Sequence, residues 1–428
     1  MNSFRALGQL LMSASQAHAR WELEIANTIV KDRRRMVILC LLTIPIIIGG
    51  IAIANQAGYV IPDALGGKKA YSPAFFTPGI FIASILIGGA AGLITGAIGA
   101  GGGFIIAPAL MSAGIKGILA VGTDLFHIFA KAIMGSVIHK KLGNISVKLA
   151  LLFLIGSIAG ATGGGVINRM LYEINPVLSD AFITTIYVVM LGLLGTYALT
   201  DFLLARKVEN SKDFHGSGAE GSEMGSIPRK IQSLRIPPMV TFDENLIPGG
   251  RQVSAIFLIL AGALVGFCAS IMGVGGGFLT FPIFVYFLGV SSMTTVGTDI
   301  FQIIFTAGYS SISQYAVYGF IFYTMAIGML LGSLIGIQIG AMTTKVVKGI
   351  TIRGFYAMAV LAGFVNRAFA LPGKLAEMEF IPLSKEVTGV LDKIGVWLFF
   401  IVILIFAVWV IGTFLMNIGT LRGKEEQL

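Results

Sequence analysis

Charged residues are scarce in this chain. Asp, Glu, Lys and Arg make up 12% of its 428 residues, whereas soluble globular domains carry about 25%. Hydrophobic residues account for 56% of the chain. A water-soluble fold is therefore excluded for most of the sequence, and the composition predicts an all-α protein that crosses a lipid bilayer many times.

The net charge of +9 does not indicate a nucleic-acid partner. The basic residues collect in short loops between apolar segments, and this distribution sets orientation under the positive-inside rule. Excess positive charge also favours an anionic solute or acidic lipid head groups. The predicted partners are a small anionic solute and the lipid bilayer, and a homo-oligomer is compatible with the sequence.

Cysteine is nearly absent from the sequence. Cys40 and Cys268 are the only two, and both lie in apolar segments far apart along the chain. This excludes a disulfide framework and gives no support to a cysteine-based metal site. We predict neither a metal nor a cofactor.

A secretory signal is also lacking. Residues 1–35 are mixed and polar, and the first apolar run begins only after the basic cluster 31–35. No small-residue cleavage site follows that run. We predict a cytoplasmic leader over 1–35, either an interfacial helix or a disordered arm, then a retained membrane helix over 36–56 and an external loop over 57–78.

Long apolar segments make up most of the remaining sequence. A helix needs about 20 mainly apolar residues to cross a bilayer, and we predict about ten such helices. They are 36–56, 79–98, 118–138, 147–168, 181–204, 253–272, 293–313, 320–342, 350–370 and 394–417. Two shorter apolar pieces, 103–114 and 277–289, are predicted to be second limbs of re-entrant or half-crossing hairpins.

The chain contains two copies of one glycine-rich pattern. The first copy runs from Gly99 to Phe104 and the second from Gly273 to Phe278, and each is followed by a proline four residues later. A Val-Gly-Thr-Asp element and a Gly-Ser-x-x-Gly-x-x-x-Gly element then follow in both copies, at 121–124 and 156–164 and at 296–299 and 332–340. The chain is therefore a tandem duplication, and matched helix breaks in two halves are typical of transporters.

Basic clusters set the orientation of the two copies. They lie at 31–35, 139–141, 205–252, 345–353 and 422–424, whereas 314–319 carries no charge. With every cluster in the cytoplasm, the copies face opposite ways, so we predict inverted repeats with both termini cytoplasmic. The predicted units are a first transport repeat (79–204), a cytoplasmic linker (205–252), a second, inverted repeat (253–370), an external loop (371–393), a last membrane helix (394–417) and a cytoplasmic tail (418–428). A small regulatory domain is the alternative for the linker.

The consecutive glycines of each copy form the first candidate site. They permit positive φ and expose backbone amides, and amides at the start of a helix bind anions. Close helix packing is the alternative, and we favour it for the glycines of 156–164 and 332–340. The predicted substrate-binding residues are Gly101, Gly102, Gly103, Thr123, Gly275, Gly276, Gly277 and Thr298.

Ionisable and polar residues within apolar segments form the second candidate site. Asp124, His127 and Lys131 share one helix face, and the second copy places Asp299 and Gln302 on the corresponding face. Such residues usually mark an ion or substrate path, so we predict that they take up protons or coordinate a cation.

Each of these residues has a structural alternative. Lys131 can extend its amino group to the cytoplasmic surface, His127 can be a packed core residue, and both aspartates can cap helices together with the preceding threonines. Asn366 and Arg367, within the apolar segment 350–370, are a weaker candidate pair.

The duplicated Gly-x-Gly-Gly-Gly-x-x-x-x-Pro element, followed by the Gly-Thr element, resembles the TauE/SafE family of membrane permeases, also called the sulfite exporter family. The resemblance covers about 79–417. It implies movement of small anions, often organosulfur compounds, sulfite or carboxylates, across a bacterial inner membrane. The first 78 residues and the linker are additions to the family's compact form, and Asp after Gly-Thr is more polar than the family pattern implies.

Two other functions compete with a permease that works by alternating access. A small-anion channel would use the same glycine turns without coupled conformational change. An intramembrane enzyme would need a catalytic constellation, and the Gly-Thr-Asp elements offer no further catalytic partner. We therefore predict a permease and no enzymatic activity.

Overall fold

The computed structural model describes residues 78–98, 102–141, 145–209, 226–243, 249–344, 346–347 and 349–417. The predicted leader, the membrane helix 36–56, most of the loop 57–78 and the tail 418–428 lie outside these residues. The candidate Gly101 also lies outside them.

The first half of the described chain contains five helices. Their bounds are α1 (Pro78–Ile98), α2 (Gly103–Ser112), α3 (Gly117–Lys141), α4 (Val147–Ile174) and α5 (Pro176–Glu209). The short helix α2 follows the glycine turn and carries Pro108 in its interior. At 10 residues it is too short to cross a bilayer, because a crossing needs about 20.

The second half repeats this order. Its helices are α7 (Ala255–Met272), α8 (Gly277–Pro282), α9 (Ser292–Tyr309), α10 (Tyr323–Thr343), α11 (Gly349–Glu377) and α12 (Lys385–Met416). Helix α8 continues as a π-helix over Ile283–Leu288, and α9 continues as a second π-helix over Ser310–Tyr315. The order long, short, long, long, long in both halves matches the duplication seen in the sequence.

Seven described helices are long and apolar enough to cross a membrane: α1, α4, α5, α7, α10, α11 and α12. The prediction of an all-α polytopic membrane protein is confirmed, while the number of ten crossings stays a prediction. The segments 118–138 and 293–313 correspond to α3 and to α9 with the start of its π-helical continuation. The predicted loop 371–393 is shorter in the structure, because α11 continues to Glu377 and α12 begins at Lys385.

Helices from the two halves pack in close pairs through their glycines. On α4, a Cβ atom at Gly156 or Gly160 would overlap the carbonyl oxygen of Ile259 or Ala263 on α7. The pair α1 and α10 is built in the same way, with Gly92 against Ser333. Such backbone-to-backbone contact requires the absence of side chains. This supports the packing interpretation of the glycines in 156–164 and 332–340.

Corresponding helices of the two halves run in opposite directions where they meet. On α5, Gly192 faces Phe364 of α11 and Gly195 faces Leu361, so the sequence numbers rise on one helix as they fall on the other. The pair α3 and α9 behaves alike, since Gly308 faces Phe129, whereas Gly122, earlier on α3, meets the chain beyond the end of α9. Antiparallel equivalents are what a two-fold axis in the membrane plane produces, so these contacts support the predicted inverted repeats.

The segment predicted as a flexible linker contains regular structure that the sequence did not predict. Helix α6 (Ser226–Ser233) precedes an antiparallel pair of strands, β1 (Met239–Phe242) and β2 (Arg251–Ser254). Asp243, directly after β1, accepts hydrogen bonds from the Ser291 amide at 2.9 Å and from the Thr294 hydroxyl at 2.6 Å. The hairpin thereby holds the start of α9, the helix that carries Asp299.

Candidate functional site

The two glycine turns meet inside the protein. A Cβ atom placed on Gly103 would lie 3.2 Å from the Cα atom of Val274, which belongs to the other turn. Ile128 of α3 lies between the turns, and its side chain would also contact a Cβ atom on Gly103 or on Gly275. The helix breaks of the two halves therefore lie in contact with each other, beside Ile128.

The second turn has the backbone geometry that the sequence predicts. Gly275 has φ +69° and Gly276 has φ +90°, values that favour glycine. At Gly102 the same prediction is wrong, because its φ is −68°. Glycine is needed there for space, since a Cβ atom would lie 2.7 Å from the carbonyl oxygen of Ala91.

The backbone amide of Gly102 has an internal partner. It donates a hydrogen bond of 2.7 Å to the Thr95 hydroxyl, which in turn donates to the Ala91 carbonyl at 2.8 Å. This amide is not available to a solute in the present conformation. The first amides of α2 beyond it lack intrahelical acceptors by helix geometry.

A chain of buried polar groups starts at Asp124 on α3. Asp124 is fully buried and His127 is 2% exposed. Asp124 Oδ1 lies 3.4 Å from His127 Nδ1, and His127 Nε2 lies 3.0 Å from the hydroxyl of Ser333 on α10. The first chain therefore joins α3 of one half to α10 of the other.

A second chain occupies the corresponding place on α9. Gln302 Nε2 donates to Asp299 Oδ1 at 2.9 Å, and the Thr306 hydroxyl donates to Gln302 Oε1 at 2.8 Å. The hydroxyl of Ser157 on α4 lies 2.9 Å from Thr306 Oγ1, and it is the donor because Thr306 uses its own hydrogen for Gln302. This chain joins α9 to α4 across the halves.

Ser157 and Ser333 are functional candidates that the sequence analysis missed. They are the serines of the duplicated Gly-Ser element, and each ends the polar chain that starts in the other half. Their place beside packing glycines made them look like part of the packing face. The signal was the repetition of serine itself, because a packing face alone could use alanine at both positions.

The two predicted threonines serve a matched structural role. Thr123 Oγ1 accepts from the Phe322 amide at 2.9 Å, directly before α10. Thr298 Oγ1 accepts from the Ser146 amide at 3.0 Å, directly before α4. Each threonine thus anchors the start of a long helix in the opposite half, and its own hydroxyl hydrogen remains for another acceptor.

The suggestion that the aspartates cap helices is wrong. Asp124 lies inside α3, which starts at Gly117, and Asp299 lies inside α9, which starts at Ser292. The cap of α9 is Ser291, whose hydroxyl accepts from the Thr294 amide. Both carboxyl groups therefore sit within helices and not at helix starts.

The two carboxyl groups differ in how completely they are hydrogen-bonded. Among the described residues, Asp124 Oδ2 is a fully buried oxygen with no hydrogen-bond partner. Asp299 Oδ2 instead lies against Gly277, 2.9 Å from where a Cβ atom would be, at the start of α8. A carboxylate at a helix start is stabilised by the partial positive charge there. Asp299 thus occupies the position that a bound anion would take at the second turn.

Lys131 adds positive charge beside the first chain. It lies one helical turn beyond His127, is half-buried, and is within electrostatic range of both Asp124 and His127. The predicted alternative, an amino group extended to the cytoplasmic surface, stays open. Among the described residues, no group of three or more His, Cys, Asp or Glu side chains is arranged to hold a metal ion.

Long apolar helices, paired helix breaks that meet inside the bundle, and buried polar chains that join the halves define a polytopic membrane transporter. Residues 84–366, well over half of the chain, match the family described as "Sulfite exporter TauE/SafE". The chain belongs to that family.

Curated relatives carry transporter names. The chain is 26% identical over 269 residues to "Probable membrane transporter protein YjnA" of Bacillus subtilis, covering 61% of this chain and 89% of that protein. It is 25% identical over 281 residues to "Probable membrane transporter protein MJ0441" of Methanocaldococcus jannaschii, covering 60% and 84%. No solved structure matches the chain. The family and these names indicate a membrane transporter of a small solute rather than an enzyme.

Proposed function

We propose that this protein is an inner-membrane permease that moves a small anion by alternating access. The observation that carries the proposal is the meeting of the two glycine turns between buried polar chains that bind across the halves. The family description names sulfite, so a sulfur oxyanion, an organosulfonate or a small carboxylate is the proposed solute. Both termini and 205–252 lie on the cytoplasmic side in this proposal.

The solute site is proposed at the first glycine turn. The second turn already faces the Asp299 carboxylate, which would repel an anion there. At the first turn, Gly103 lies beside Ile128 and Val274, and Lys131 contributes positive charge one turn further along α3. Helix α2 directs its positive end to this point.

Alternating access in this fold requires moving units that differ from the two sequence repeats. The glycine contacts lock α1 to α10 and α4 to α7, and each pair takes one helix from each repeat. A repeat cannot slide past the other without separating these pairs. We infer that the two mixed pairs move as rigid units around the central helices α3 and α9.

Coupling to protons is proposed at Asp124 and His127. If the Ser333 hydroxyl donates to the Leu330 carbonyl, as its 3.2 Å distance allows, then His127 Nε2 must carry the hydrogen toward Ser333. A neutral His127 then turns an unprotonated Nδ1 toward Asp124 Oδ1. A hydrogen bond between them needs one further proton on either group. The second chain, with Gln302 in place of histidine, binds Asp299 without that proton.

Flux into liposomes containing the purified protein tests the proposal. Sulfite, thiosulfate, sulfoacetate, taurine and acetate are the solutes, with an imposed pH gradient in either direction. We expect saturable movement of at least one anion and accumulation against its gradient when the pH gradient is present. Saturable flux that never exceeds equilibrium under any gradient would identify a channel. No flux of any anion would refute the proposed function.

A further inference from the structure

A buried guanidinium lies outside the site described above. Arg367 of α11 is 2% exposed, and it sits within an apolar helix, well away from either end. Burying a positive charge is costly unless the charge is paired and hydrogen-bonded. The polar contacts of Arg367 therefore indicate whether its charge is fully compensated within the protein.

The hydrogen-bond partners of Arg367 are neutral. Its Nε donates to Asn366 Oδ1 at 2.7 Å, and its Nη2 donates to the Ser112 hydroxyl at 2.6 Å. Asn366 Nδ2 also donates to the Ser112 hydroxyl at 3.0 Å. A guanidinium has five N–H groups, so three remain without an acceptor among the described residues. Nη1, which donates no hydrogen bond among the described residues, is not one of the buried polar atoms left without a partner there, so this nitrogen keeps some accessible surface.

No carboxylate among the described residues is hydrogen-bonded to Arg367. Asp180 and Asp392 lie within electrostatic range of Arg367, but neither is hydrogen-bonded to it in the described structure. Asp180 accepts from Lys374 Nζ at 3.1 Å and from the Gly117 amide at 2.7 Å. Asp392 is exposed to solvent or lipid head groups. Among the described residues, the charge of Arg367 thus has no directly bound counter-ion.

Arg169, the other buried arginine of the described residues, has different surroundings. Its Nη1 donates to the Gln314 carbonyl at 2.7 Å and to Gln314 Oε1 at 2.8 Å. Its guanidinium lies over the Tyr318 ring at 4.1 Å from the centroid. Arg169 and Arg367 each donate two hydrogen bonds to neutral acceptors, but Arg169 also lies over an aromatic ring, and Arg367 has no such ring contact among the described residues.

We propose that Arg367, with Ser112 and Asn366, binds the oxyanion of the solute at the outer mouth of the pathway. Ser112 is the last residue of α2, the half-helix whose other end is the first glycine turn. The fork of N–H groups matches the paired oxygens of a carboxylate, sulfonate or sulfite. The inference rests on the proposed function, and it assigns a binding site at the end of α2 opposite to the glycine turn.

Anion-induced stabilisation and flux together test this site. Thermal unfolding of the purified protein is measured in detergent with sulfite, sulfoacetate or acetate, and KM is measured in liposomes. In the wild type, at least one anion should raise the Tm. Arg367→Gln should abolish this rise and increase KM about 10-fold or more, because charge-assisted hydrogen bonds are lost. Arg367→Lys should give an intermediate KM, since it keeps the charge without the fork.

Arg169→Gln is the matched control, because it also removes a buried guanidinium. It should lower the Tm without removing the anion-induced rise. If Arg367→Gln does not fold, Ser112→Ala provides the test, and its KM should increase while its Tm without anion changes little. An unchanged KM and an unchanged anion-induced rise in Arg367→Lys and Ser112→Ala would overturn the inference.

The outcomes separate this inference from the proposed function. Flux with a wild-type KM in the Arg367 variants would support the permease and refute the binding site at Arg367. Anion binding that depends on Arg367, without any flux, would support the binding site and refute the permease function. The absence of both binding and flux in the wild type refutes both.

Discussion

The glycine contact between α4 and α7 gives a prediction that can be worked from geometry. A Cβ atom on Gly160 would overlap the Ala263 carbonyl oxygen and lie 2.8 Å from both the Ala263 carbonyl carbon and the Phe267 nitrogen. Ordinary carbon contacts start at about 3.5 Å, and the Ala263 oxygen would be nearer than the two neighbours at 2.8 Å, so the helices would have to separate by more than about 1 Å. Two backbones meet here, and neither can move away by changing a rotamer.

Gly160→Ala should therefore destabilise the protein. Overpacking of this kind costs about 1–3 kcal/mol, and the backbone contact places this site at the upper end of that range. Gly163→Ala is the matched control on the same helix, since its nearest neighbour would be the edge of the Phe267 ring at 3.9 Å. Replacing glycine by alanine in an open helical position is neutral or stabilising by up to about 1 kcal/mol.

Unfolding in a mild detergent measures both variants. A lower midpoint for Gly160→Ala beside an unchanged or higher midpoint for Gly163→Ala would confirm the calculation. Equal midpoints in the two variants would mean that the α4–α7 pair opens freely. That result would also remove the argument that the mixed helix pairs move as rigid units.

Three further outcomes are expected. Asp124→Asn should abolish accumulation of the solute against its gradient, and the dependence on the pH gradient, while solute binding persists. His127→Gln should reduce accumulation less, because the second polar chain has glutamine at this position. Wild-type accumulation in Asp124→Asn would refute the assignment of proton coupling to this residue. Asp243→Ala should lower the Tm, since Ser291 and the start of α9 lose three hydrogen bonds, and an unchanged Tm would show that the hairpin does not hold the helix. A cysteine at Val317, at the end of the α9 segment, should react with an impermeant maleimide from the outside of the cell, and labelling from the cytoplasm alone would refute the predicted orientation.

The helices and their duplication could be predicted because they depend on local properties. Apolar segments of about 20 residues and repeated glycines can be counted along the chain without knowing which segments touch. The predicted partition failed at the ends of helices, as with the polar last turns of α11 and the polar first turns of α12, which look like a loop in composition. Loop charges similarly predicted that the two repeats have opposite orientations in the membrane, and the α5–α11 contacts support this.

Several partners of the site residues could not be predicted, because they come from the other half. Thr123 bonds to the Phe322 amide and His127 to Ser333, at separations of about two hundred residues. A single sequence without knowledge of contacts offers no signal for such pairs. The φ of Gly102 is a similar case, since its need for glycine comes from the approach of Ala91 rather than from its own backbone.

The strengths of the contacts between the halves indicate which of them can change during transport. Hydrogen bonds between membrane helices contribute about 0.6 kcal/mol each on average, so the four cross-half bonds of Thr123, Thr298, His127 and Thr306 together contribute roughly 2–3 kcal/mol. A solute that binds one of two conformations more tightly can shift an equilibrium whose free-energy difference is of this size. Separating the glycine-packed helix pairs would instead remove backbone contact along the whole length of each pair. The bonds around α3 and α9 are therefore the ones that solute or proton binding can exchange. Asp124 Oδ2, which is buried without a partner among the described residues, lies among them.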